Sequence, residues 1–175
     1  AAGLPDRASA KRFIYCLIFG GGNSKLGETV GGSAKEGAKL KDQFFTANPA
    51  FKKLVNGVKN FAEKNKYLPG LDQRHLIVRS PHSALNLLIQ SAGALIAKKA
   101  LVIFKQLLRD NGLEDKVKLV LWIHDEFQIQ YREELDEDTI GKLAVQSFKE
   151  AGEHYKFKCP ITGEYSTGRN WAETH

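Results

Sequence analysis

The chain has 175 residues, 26 Lys+Arg against 20 Asp+Glu, a formal charge of +6 and a pI near 9.3. Hydrophobic residues at 42% and charged residues at 26% suit a packed core and argue against disorder or a collagen-like repeat. There is no methionine, so Ala1 is no initiator, and the chain is expected to be a fragment or processed product of something longer.

In chain order, Leu4-Pro5-Asp6 opens a helix predicted to run to Phe19 and to stop at Gly20-Gly21-Gly22-Asn23. Ser33 is an N-cap for a second helix, to Phe45, which ends before Asn48-Pro49. A third carries Phe51, Leu54, Val55, Val58 and Phe61, an apolar stripe at helical period. Pro69-Gly70 reads as a turn and Arg74 to Arg79 as a short strand. Ser80-Pro81 starts a long helix closed at Asp110 by Asn111-Gly112. Lys118 to Tyr131 holds two β-rich runs around His124-Asp125-Glu126, a hairpin tip. Ile140, Leu143, Ala144, Ser147, Phe148 and Ala151 mark a last amphipathic helix, and the tail from Lys156 is irregular. The class expected is α+β, a helical first third followed by helices packed against an antiparallel hairpin. The apolar stretch Ala92 to Leu108 is broken by Lys98, Lys99 and Lys105, so no membrane span is expected there. Cys16 and Cys159 form no metal or redox spacing and fit a reducing compartment.

Charge is uneven. Residues 35–66 hold eight lysines and three acids, a surface for phosphate backbones or a solvated helical face. Five acids between Glu133 and Asp138 sit at a helix N-terminus, where the macrodipole favours them.

Two constellations carry chemistry. Arg7, Lys11, Tyr15 and Phe19 recur every four residues and form one gently winding stripe on a helix. Two cations bind phosphate oxygens, and two rings stack on a base or pack on a sugar. The same pattern also describes snorkelling cations over a buried aromatic stripe. The second constellation is His124-Asp125-Glu126, carboxylates held at the end of a rigid ribbon, the oxygens that hard cations such as Mg²⁺ seek. A polar turn of structural purpose reads the same way.

Together the two resemble a known family. R-x3-K-x3-Y-x3-F-G at Arg7 to Gly20, then strand–HDE–strand at Leu119 to Ile129, resembles motifs B and C of family A (Pol I-type) DNA polymerases, closest to those of podovirus-type bacteriophages. Val78 to Ala94 resembles the long palm helix of that group, and Gly168 to His175 its natural C-terminus. The resemblance implies helical fingers over residues 1–68 and a palm portion over 69–175. It implies a DNA-directed DNA polymerase, a nucleotidyltransferase extending a primer 3′-hydroxyl in viral DNA replication, in the cytoplasm of an infected bacterial host. Arg7 and Lys11 would hold the triphosphate, Lys11 also serving as acid for the leaving pyrophosphate. Tyr15 would meet the sugar and Phe19 the templating base, where the family usually has Tyr. Asp125 would bind the metals with support from Glu126. His124 would touch the primer terminus, and His82, Asn86 and Gln90 the minor groove. Cofactors would be two Mg²⁺ ions; partners would be primer–template DNA and dNTPs, with no membrane.

The family's other metal-binding aspartate lies in motif A, upstream of motif B, so an upstream segment or a separate polypeptide would supply it, with the thumb and any exonuclease. Other readings are a phage single-subunit RNA polymerase fragment, against which Tyr15 and Glu126 speak, a non-catalytic basic nucleic-acid-binding domain, and a purely structural helical protein. The expected outcome for the 175 residues alone is no primer extension with Mg²⁺, since half of the metal cage lies elsewhere. Nucleotide addition in a gel-based extension assay would contradict this.

Overall fold

In the computed structural model, residues 4, 6–124 and 126–174 are described. Helix α1 spans Arg7–Ile18, α2 Asn23–Glu28, α3 Ala34–Ala47 and α4 Pro49–Asn65. Strands β1, Tyr67–Pro69, and β2, His75–Ile77, form a small antiparallel ribbon. A 3-10 turn at Pro81–Ser83 leads into α5, Ala84–Asp110. Strands β3, Val117–Ile123, and β4, Glu126–Tyr131, form an antiparallel hairpin, and α6 is Glu137–His154. A second 3-10 turn, Trp171–Glu173, lies in the tail. The expected α+β class is found, with two additions, α2 and β1. The chain divides into two compact units, Ala1–Ser91 and Ala92–His175, within α5.

The first unit is assembled on α1. Phe13 and Leu17 join Leu26 and Phe45 in a core lined by Leu40, Phe44, Phe51 and Val55. Phe44 packs edge-on against both Phe13 and Phe51, the favoured geometry for aromatic quadrupoles. Helices α2 and α3 meet through glycines: a Cβ on Gly37 would lie 2.0 Å from the Asn23 carbonyl oxygen, and one on Gly27 2.1 Å from that of Ser33. A second small core joins Ala62, Leu68 and Ala84.

The second unit buries Phe104 and Leu108 of α5, Val117 of β3 and Ile140 of α6 together. Phe127 stacks on Phe148 and lies near Phe104, so the hairpin is fixed from one face by α5 and α6. The ladder slips between Leu119 and Leu121, a bulge that adds twist to β3.

The long helix includes an uncharged run. It begins well before Ala92, and residues 81–97 carry no Asp, Glu, Lys or Arg. By length and composition alone, Pro81–Asp110 is long and apolar enough to cross a membrane.

Three helices carry acidic side chains at their N-termini that bond backbone N–H groups. The Ser9 N–H donates to Asp6 Oδ1 at 2.7 Å, and the Thr139 N–H to Asp136 Oδ2 at 2.9 Å. Ser33 and Glu36 form a reciprocal capping box. The Ser9 N–H holds the Asp6 carboxyl below the usual range, the Ser33 N–H does so for Glu36, and the Thr139 hydroxyl for Asp136. A carboxyl lowered in the folded state contributes stability above its unfolded value and loses it as pH falls through the folded one. Helicity in far-UV circular dichroism should therefore decline as pH drops below about 4. In a D6N/E36Q/D136N variant that acid-linked decline should flatten; an unchanged acid profile would contradict the assignment.

Candidate nucleotide and metal site

The α1 stripe is a surface feature. Ser9, Phe13 and Leu17, two positions out of step with it, are the buried face, Phe13 completely. Two residues rotate ~200° on a helix, so Arg7, Lys11, Tyr15 and Phe19 are carried outward. Tyr15 and Phe19 are each 50% exposed, and their rings stack at 6.2 Å and 25°. The Lys11 ammonium lies 5.6 Å from the Tyr15 ring centroid. Neither Arg7 nor Lys11 takes part in an ion pair among the described residues. The reading of a buried aromatic stripe under snorkelling cations is thereby overturned: the core lies opposite.

The end of the stripe is pinned. Gly20 has φ +79, and a Cβ there would lie 2.3 Å from the His82 carbonyl oxygen. Only glycine satisfies both demands. Beside this contact lies a cleft of ≈ 360 Å³ lined in part by Gly20 to Asn23, Lys41, Asn56, Lys59 and His82. His82, Asn86 and Gln90 follow one another at four-residue spacing, His82 and Gln90 exposed. Asn86 Oδ1 is buried with no hydrogen-bond partner among the described residues, a state that costs free energy until a donor arrives.

The hairpin tip is tighter than a three-residue loop. Ile123 pairs with Glu126, and Glu126 is the first residue of β4. Asp125, the expected metal ligand, lies outside the described residues. His124 is exposed with φ +52, and the Trp122 indole N–H donates to its carbonyl at 3.1 Å. Glu126 is half-buried and accepts from Gln128 Nε2 at 3.0 Å. Among the described residues no three His, Cys, Asp or Glu side chains converge as a metal cage. The donor chemistry fits a hard cation in part, since adjacent Asp125 and Glu126 supply the one or two carboxylates that Mg²⁺ takes beside substrate phosphates. Trp122, Gln128 and Lys98 escaped the sequence reading; an indole inside a β run ending at the carboxylates was the available signal.

The family model for DNA polymerase family A matches residues 4–173. The chain belongs to DNA polymerase family A. It is 37% identical to a DNA-directed DNA polymerase of Enterobacteria phage T3, with all of this chain and 27% of that protein covered. It is 35% identical to a DNA-directed DNA polymerase of Escherichia phage T7, again with all of this chain and 27% of the relative. A DNA polymerase I of Caldicellulosiruptor bescii is 27% identical over 96% of the chain and 20% of its own length. The chain therefore spans about a quarter of the length of these phage relatives. The POL domain of Pol1 from M. smegmatis, solved in complex with DNA primer–template and dNTP, shares the fold: TM-score 0.72, 22% identity, 82% of this chain and 27% of that one. The family read from motifs B and C is borne out, and the fold class with it.

Replacing Gly20 by Ala combines a left-handed φ, about 1–2 kcal/mol, with overpacking of about 1–3 kcal/mol. A loss of roughly 2–5 kcal/mol is expected. Gly22→Ala, where an added Cβ meets nothing within 4 Å, should stay within about 0.5 kcal/mol. Urea denaturation of both variants checks this, and equal midpoints would contradict it.

Proposed function

We propose that this chain is the fingers-and-palm portion of a DNA-directed DNA polymerase, fingers over residues 1–68 and palm over 69–175. The observation that carries the reading is the α1 stripe: two cations outside any ion pair among the described residues, and two half-exposed stacked rings, on the face opposite the core. A nucleoside triphosphate needs that order of groups, cations for phosphate oxygens and rings for sugar and base.

Arg7 and Lys11 bind and orient the triphosphate of the incoming dNTP, and Lys11 protonates the departing pyrophosphate oxygen. Tyr15 packs against the sugar and favours deoxyribose, and Phe19 takes the templating-base position by stacking alone. His82, Asn86 and Gln90 contact the minor groove of primer–template DNA; Asn86 Oδ1, unpartnered among the described residues, suits a donor on a base edge. His124 touches the primer terminus. Asp125 and Glu126 hold Mg²⁺, which when bound activates the 3′-hydroxyl and stabilises charge on the leaving group. An upstream segment or separate polypeptide supplies the remaining metal-binding aspartate of motif A, the thumb and any exonuclease. The reaction serves viral DNA replication inside an infected bacterial cell, in keeping with the phage relatives.

In the assembled enzyme Asp125→Ala should abolish nucleotide transfer. Lys11→Ala should lower kcat/KM for dNTP by roughly 100-fold, an acid-catalysis-sized loss, while leaving primer–template affinity within about twofold. Single-turnover incorporation and fluorescence anisotropy separate the two effects. A Lys11→Ala enzyme that loses DNA binding and nucleotide use alike would favour a merely basic nucleic-acid-binding surface instead.

A further inference from the structure

The small β1–β2 ribbon has two unlike faces. Leu68 and Leu76, paired across the ladder, point into the core with Ala62 and Ala84. Side chains alternate along a strand, so Tyr67, Pro69, His75 and Ile77 share the outer face. That face meets solvent: Ile77 is 72% exposed, and Pro69 and His75 are exposed beside it. On it three rings form a row. Phe61 of α4, itself exposed, stands edge-on to Tyr67 at 5.8 Å, and Tyr67 stacks on His75 at 3.8 Å and 22°. Tyr67 covers one side of the imidazole, and the exposed His75 keeps its other side for solvent. Cations flank the row in sequence. Residues 59–79 hold Lys59, Lys64, Lys66, Arg74 and Arg79 against Glu63 and Asp72. Lys59 pairs with Glu63 and Arg74 with Asp72, whereas Lys64, Lys66 and Arg79 are exposed and join no ion pair among the described residues.

We infer that the outer face of the β1–β2 ribbon is a docking surface for an unpaired stretch of DNA. The excess of cations calls for a polyanion. A ring with a face open to solvent calls for a base, and in a duplex each base is already stacked on its neighbours, so an unpaired strand is what has base faces to give. Sheet surfaces that carry aromatic side chains bind single strands by this stacking. Bases and phosphates are common to DNA and RNA; the chain's family is that of DNA polymerases, which selects DNA. The surface shares no residue with the α1 stripe, with His82, Asn86 and Gln90, or with the β3–β4 hairpin, so it serves whatever those residues do.

The test is fluorescence anisotropy of the full 175-residue chain with a labelled oligothymidylate of about 12 nucleotides, within the usual footprint of a single-strand site. Two further probes are a duplex of equal length and an abasic strand, which keeps the phosphates and lacks the bases. His75→Ala removes the exposed ring, and His75→Phe restores one. The expected result is binding of oligothymidylate by the wild type, roughly tenfold weaker binding by His75→Ala and recovery to within about twofold by His75→Phe. Neither variant should change binding of the duplex or of the abasic strand. A Lys66→Gln/Arg79→Gln chain should bind oligothymidylate less tightly, with a shallower salt dependence. Equal affinity of wild type and His75→Ala for oligothymidylate overturns the inference, as does an equal loss on the abasic strand, an unchanged salt dependence, or no binding by the wild type. Tighter competition by oligouridylate than by unlabelled oligothymidylate overturns the choice of DNA. If His75→Ala lowers the urea midpoint, His75→Phe against His75→Leu decides: tighter binding by the ring supports stacking, and equal binding rejects it.

Discussion

The burial of Phe13 is the constraint on which the functional reading depends. Its ring is fully enclosed, edge-on to Phe44, with Leu17 one turn further along α1. Burying such a side chain contributes about 1.5–3 kcal/mol, so turning α1 about its axis would forfeit roughly that amount twice over. The helix has one stable rotation. In that rotation Arg7, Lys11, Tyr15 and Phe19 face outward whatever else is bound. Gly20 then fixes the end of the stripe, because its approach to the His82 carbonyl leaves no room for a Cβ. The exposed stripe thus follows from core packing on the opposite face.

The hairpin obeys a similar logic. Phe127, stacked on Phe148, anchors β4, and Val117 anchors β3, both at the α5–α6 core. The opposite end of the ribbon carries Glu126, the first residue of β4. A short stiff ribbon holds its tip better than a loop would. On this unit too, apolar contacts at one place determine where polar groups stand at another.

Much of this was legible in residue order. Proline, serine, asparagine and glycine marked where α1, α3, α4 and α5 begin and end, because capping chemistry is local. The β3–β4 hairpin was legible from its paired apolar runs. Helix α2 was not. Six residues, Asn23 to Glu28, carry too little periodicity, and the helix exists because Leu26 is fully buried and Gly37 admits the Asn23 carbonyl. Strand β1 was hidden by Pro69 and is held by Tyr67 stacked on His75 at 3.8 Å. Which face of α1 is buried was equally illegible, since Tyr15 and Phe19 are as apolar as Phe13 to a periodicity count. The roles of Asp125 and Glu126 came from likeness to the family, whereas the bonds from Trp122 to His124 and from Gln128 to Glu126 required coordinates.

The claim that α1 presents a triphosphate and base platform is tested most directly by photo-crosslinking. A dNTP bearing an azido group on the base is irradiated with the protein, and labelled peptides are identified by mass spectrometry. The account predicts labelling within Arg7–Phe19, at Tyr15 or Phe19, competed by unmodified dNTP and by inorganic triphosphate. Labelling confined to the lysine-rich helices α3 and α4, uncompeted by triphosphate, would contradict it.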